Sequence, residues 1–167
     1  DGGLYVPSEW PNLPDVRRDA TYAQLAASVI APFIGDQIER DDLDRMCDEA
    51  YATFRHPATV PLVQVDDHHF VQELFHGPTL AFKDVAMQLL ARFMDHVLAE
   101  RDERVTIVGA TSGDTGGAAV EAFRGRDRVD MVILFPAGRV SDVQRRMMTT
   151  ATEANVHAVA VDGTFDD

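Results

Sequence analysis

Apolar positions recur at helical spacing twice in the first third of the chain. Tyr22, Leu25, Ala26, Val29, Ile30 and Phe33 predict a helix over residues 19–34, with Asp19 as its cap. Leu43, Met46, Cys47, Ala50, Tyr51 and Phe54 predict a second over 40–54. Its opening acids, Asp41, Asp42 and Asp44, sit where the helix dipole favours negative charge, and Pro57 closes it. Residues 1–17, rich in Pro and Gly around Trp10, predict loop. Residues 60–65 and 70–75 flank Asp66-Asp67-His68-His69 and predict a β-hairpin.

The pattern changes at residue 76 to alternating helices and short apolar strands. A long helix is expected over Leu80 to Leu98, carrying Phe82, Val85, Leu89, Leu90 and Phe93 on its apolar positions. Strands follow at 105–109, 129–135 and 156–161, with helices at 115–123 and from Ser141 to about Thr150. Ser141 and Gln144 form a capping-box signature. Strands joined through helices predict an α/β zone with a mostly parallel sheet and helices on both faces. Ligands in such folds bind where strand carboxyl ends meet helix amino ends.

Composition narrows the chemistry. The chain has 167 residues, 46% hydrophobic and 26% charged, an ordinary globular balance. A net charge of −13 repels phosphate backbones and argues against nucleic-acid binding. No apolar run reaches the roughly 20 residues that span a bilayer, so no membrane partner is expected. The single cysteine, Cys47, can form no internal disulfide and no zinc cluster, which fits a cytoplasmic setting. His68 and His69 lie on a polar turn and predict solvated side chains rather than metal ligands, so no metal is expected. Both ends are abrupt: Asp1 opens a turn-rich segment, and 159–167 reads as a strand, a turn and the start of another element. A fragment of a longer polypeptide is the expectation.

Fourteen of the 15 basic residues are Arg; the other is Lys83. Arginine replaces most surface lysines, but it cannot form a Schiff base. Lys83 falls in the segment His76-Gly77-Pro78-Thr79-Leu80-Ala81-Phe82-Lys83-Asp84, which opens the long helix with Thr79 as the expected cap. A lysine in a first helical turn faces the positive end of the dipole, and this together with partial burial favours the neutral, nucleophilic amine. The other loop with chemical potential is Gly109-Ala110-Thr111-Ser112-Gly113-Asp114-Thr115-Gly116-Gly117. Glycines there let backbone N–H groups converge at a helix start, and the hydroxyls add donors, giving an anion site for a carboxylate or phosphate. It matches neither a Walker loop nor a dinucleotide fingerprint. Asp114 is out of place in such a loop: it repels a carboxylate unless protonated, turned away, or bonded to a cation or an acidic proton.

Together the two loops resemble those of threonine synthase, a family of pyridoxal-phosphate enzymes with the tryptophan-synthase-β fold (fold type II). Residues 76–84 are similar to that family's cofactor-lysine motif. Ser112-Gly113-Asp114-Thr115-Gly116 resembles its substrate loop, where related enzymes more often have Asn in place of Asp114. Asp1 to Pro7, Pro61 to Gln64 and Asp162 to Asp167 are also similar, so the resemblance covers nearly the whole chain.

The resemblance implies a small α+β N-terminal domain over residues 1–75 and the first, incomplete part of the cofactor domain over 76–167. It implies that Lys83 holds pyridoxal 5′-phosphate through a Schiff base and shuttles protons, while O-phospho-L-homoserine and water become L-threonine and phosphate. It implies Ser112, Gly113, Thr115 and Gly116 at the substrate carboxylate, Asp114 near the cofactor's 3-oxygen, and Phe82 and His76 beside the ring. The phosphate-gripping loop and the residue facing the pyridine nitrogen are expected downstream, so the rest of the polypeptide is needed to complete the site. Three alternatives stand beside this: another fold type II lyase or dehydratase, a non-catalytic anion-binding module, and a metal hydrolase on His68 and His69. The last lacks a helix with ligands at i, i+4 spacing.

Overall fold

The computed structural model describes residues 2–12 and 14–163. Asp1 and residues 164–167, parts of the two matching ends and the expected last element, lie outside the described residues. The chain divides between Ala52 and Thr53 into two compact units.

The first unit is a helix pair. α1 (Tyr22–Ile34) is capped by Thr21, whose Oγ1 accepts from the Gln24 N–H at 3.2 Å while Gln24 Oε1 accepts from the Thr21 N–H at 3.0 Å. This reciprocal box displaces the expected Asp19 cap, and Asp19 instead pairs with exposed Arg17 at 2.6 Å. α2 (Arg40–Tyr51) ends three residues earlier than expected and buries Leu43, Met46, Cys47 and Ala50. Ala23 and Ala27 bury the facing side of α1, and Tyr22 meets Tyr51 edge to face at 4.7 Å. Burial, reinforced by Asp44 and Asp48, pushes the Cys47 thiol up to about 11, so it is a packing residue rather than a nucleophile.

The second unit opens with the expected hairpin, shortened to β1 (Leu62–Gln64) and β2 (Phe70–Gln72), antiparallel with Val63 opposite Val71. Asp66 builds its turn: Oδ1 accepts from the N–H groups of His68 at 3.0 Å and His69 at 2.9 Å. The two histidines are turn residues. Among the described residues, no group of three or more His, Cys, Asp or Glu could hold a metal ion.

The core of this unit is a parallel sheet in the order β3 (Val105–Ala110), β4 (Val129–Pro136), β5 (Val156–Val161), with Ile107 beside Met131 and Ile133 beside Ala158. α4 (Asp114–Phe123) and α5 (Asp142–Thr149) are the two crossovers. Successive crossovers that advance the same way place their helices on one face. There α4, α5 and α3 (Asp84–Arg101) enclose Phe123, Val120, Met131, Ile133 and Met148. Burial alternates along the strands accordingly. The helices expected on the other face do not occur among the described residues, and Val108 there is 63% exposed.

Candidate active site

Lys83 is placed by a clasp. The chain does not enter α3 at Leu80: Leu80 takes φ +65, outside the helical region, and α3 begins at Asp84. Asp84 is fully buried. Its Oδ2 accepts from the Thr79 N–H at 2.8 Å and its Oδ1 from the Thr79 hydroxyl at 2.7 Å. Thr79 is not the helix cap, because α3 starts only at Asp84; its hydroxyl donates to Asp84 and its oxygen accepts from the Ala81 N–H at 3.4 Å. Gly77 lies against the same carboxylate, and a Cβ there would come within 2.4 Å of Asp84 Oδ2. Lys83 becomes the residue immediately before the helix, and its carbonyl accepts from the Met87 N–H at 2.9 Å. Lys83 thus stands at the amino end of α3, at the cap rather than inside the first turn as expected.

Burial pushes the Asp84 carboxyl above its ordinary value, against the opposing pull of the Thr79 bonds. Upstream, the Arg55 N–H donates to the His76 carbonyl at 2.9 Å and anchors the start of the loop. His76 pairs with Glu73 at 2.6 Å. The Lys83 Nζ stands 4.3 Å from the centroid of the Phe82 ring.

The anion loop is organised from within by Thr111, whose Oγ1 accepts from the N–H groups of Gly113 at 3.1 Å and Gly116 at 3.0 Å. Thr111 is buried, and its own N–H extends the β3–β4 ladder to the Leu134 carbonyl at 3.0 Å. The strand end is thus tied to the helix start through one hydroxyl. Gly113 and Gly116 spend their N–H groups on this tie. The donors α4 leaves without an intrahelical partner are those of its first residues, Asp114 and Thr115. Asp114 Oδ1 accepts from Gln144 Nε2 at 2.8 Å, which answers the oddity of an acid in this loop.

The two loops meet at one cavity of about 390 Å³, lined by Leu74, Phe82, Lys83, Val85, Ala86, Met87 and Thr115. Its walls are apolar, with one amine and one hydroxyl, and its volume lies in the range of small-ligand sites. Lys83, Phe82 and Thr115 are brought together there. Ser112, Gly113, Asp114 and Gly116 belong to the adjoining loop but do not line the cavity, and neither does His76. A cavity of the same volume in the first unit, among Asp15, Arg17, Arg40 and Asp44, contains no residue of either loop.

The family model described as "Threonine synthase N terminus" matches residues 1–51. A curated threonine synthase from Pseudomonas aeruginosa is 51% identical over 100% of this chain and 36% of its own length. Its counterpart from Schizosaccharomyces pombe is 46% identical over 100% of this chain and 35% of its own length. A crystal structure of PLP-bound threonine synthase from Brucella melitensis superposes with a TM-score of 0.93 and 60% identity, over 99% of this chain and 36% of that one. Over its whole length the chain is similar to part of these threonine synthases. It spans about a third of the length of these threonine synthases, and the superposition takes in both loops and the sheet that carries them.

Three residues of the two loops and their support escaped the sequence reading. Asp84 gave only the sign of an acid beside a lysine, Thr111 that of a hydroxyl before Ser112, and Gln144 that of a helix cap. Their roles depend on which groups the fold brings against Gly77, Gly116 and Asp114.

Proposed function

We propose that the whole polypeptide is a threonine synthase that converts O-phospho-L-homoserine and water into L-threonine and phosphate, with pyridoxal 5′-phosphate held by Lys83. The observation that carries this is the meeting of Lys83 with the 111–116 loop at one apolar cavity. The cavity fits the group: its apolar walls suit a flat ring, and a lone amine stands at the start of α3. When bound, pyridoxal phosphate supplies an electron sink for charge developing on an amino-acid carbon.

The chain's own residues supply the rest. Lys83 would hold the cofactor through its amine, and that amine would move protons at substrate Cα, Cβ and Cγ. Phe82 and Asp114 are the further cofactor contacts. Ser112 and Thr115 present hydroxyls, and with the first-turn N–H groups of α4 they take the substrate carboxylate. Gly113 and Gly116 contribute through shape, since Thr111 holds their N–H groups. Cytoplasmic residence belongs to the same reading; no described helix is long and apolar enough to cross a membrane.

The test uses the full-length enzyme. Borohydride reduction followed by peptide mass mapping is expected to place the pyridoxyl group on Lys83. Lys83→Arg is expected to lower threonine formation about a thousandfold or more. Phosphate release should equal threonine formed. An unmodified Lys83, or an arginine variant with wild-type turnover, overturns the reading.

A further inference from the structure

Gln144 sits 30 residues from the anion loop in sequence, at the third position of α5, and does two things at once. Its Oε1 accepts from the Ser141 N–H at 3.2 Å and from the Ser141 hydroxyl at 2.9 Å. A backbone N–H can only donate, so it fixes which end of the amide carries oxygen. The other end, Nε2, is thereby aimed at Asp114 Oδ1, 2.8 Å away. The same side chain lies over Gly113, which has φ +144. A Cβ at Gly113 would come within 2.4 Å of the Gln144 amide carbon, so the loop and this side chain are built against each other. Thr111 therefore holds the loop from inside and Gln144 from outside.

We propose that Gln144 is a positioning residue for carboxylate binding, a reading that rests on the substrate role given to this loop. A free Asp114 carboxylate at the start of α4 is a like charge beside the N–H groups that must receive an amino-acid carboxylate. The amide of Gln144 fixes the direction of that carboxylate and takes up part of its charge. The capping box of α5 thus sets the geometry of an anion site on α4.

The deciding variant is Gln144→Glu in the full-length protein. Glutamate still caps the Ser141 N–H, so α5 is kept, but it turns an oxygen rather than a donor toward Asp114. Without cofactor, amide exchange of residues 111–117 is expected to quicken about tenfold or more, with residues 142–149 unchanged. With cofactor, the dissociation constant for L-threonine, read from the cofactor absorbance, should rise about tenfold. The double variant Asp114→Asn with Gln144→Glu reverses donor and acceptor and is expected to restore the loop's protection. Wild-type exchange of 111–117 in Gln144→Glu, equal loosening of 142–149, or no recovery in the double variant overturns the proposal. Failure of borohydride to trap Lys83 removes the functional reading but leaves the exchange outcome standing, so the two fail separately.

Discussion

Asp84 shows how a buried acid can position a neighbouring amine. It is fully buried, receives both the N–H and the hydroxyl of Thr79, and leaves no room for a side chain at Gly77. Asp84→Ala removes the acceptor and strands the Thr79 N–H. A loss of about 2–4 kcal/mol in chemical denaturation of the full-length protein is expected, together with weaker trapping of pyridoxal phosphate at Lys83. Asp84→Asn keeps one acceptor and one donor for Thr79, and about 1 kcal/mol is expected. The two should also differ from wild type in pH dependence. Burial raises the folded carboxyl above 3.8, so the folded state holds more protons than the unfolded. The stability from Asp84 is then full below pH 3.8 and is lost as pH rises through the folded value. Asp84→Asn cannot lose it, so its stability relative to wild type should improve as pH rises from 3.8 through the folded value. Lys83 was legible because one lysine among fourteen arginines is conspicuous in one dimension. Asp84 was not, because its importance lies in what the fold packs around it.

At the scale of the element, the sequence named the helices more reliably than their first residues. Two helices open with Ser/Thr-x-x-Gln, Thr21 to Gln24 and Ser141 to Gln144, and both form reciprocal boxes. The second was legible; at the first, Asp19 competed for the role and lost to the residue with the correct three-position spacing. Thr21→Ala is expected to cost about 1 kcal/mol of local stability, read as roughly fivefold faster amide exchange in the first turns of α1. Asp19→Ala, which removes only an exposed ion pair, should leave that exchange within about twofold of wild type. Equal effects would return the cap to Asp19. At α3 the expected Thr79 cap failed for a different reason: the chain does not become helical until Asp84, and the Thr79 hydroxyl donates to that buried carboxylate ahead of the helix. The pattern in sequence changes at residue 76, while the compact units divide after Ala52. Residues 53–75 join the second unit in part through the backbone bond from Arg55 to His76, which no periodicity announces.

At the scale of the whole molecule, the described residues carry Lys83, the amine proposed to bond the cofactor, but few means to hold the cofactor's most charged part. Among the described residues, those lining the cavity at Lys83 include no arginine and no second cation. A phosphate dianion needs clustered N–H donors or fixed cations, and the net charge of −13 works against it. The sheet face opposite the helices leaves Val108 63% and Val159 44% exposed, and the chain spans 36% of the Pseudomonas relative. The isolated 167-residue chain is therefore expected to bind pyridoxal phosphate weakly, with a dissociation constant at least about a hundredfold above that of the full-length protein. It is expected to form no measurable threonine from O-phospho-L-homoserine. Absorbance titration with the cofactor, followed by parallel threonine and phosphate assays on the two proteins, measures both. Turnover by the isolated chain would mean that the 111–116 loop and Lys83 suffice for the chemistry, and that the cofactor phosphate is held by groups within these residues.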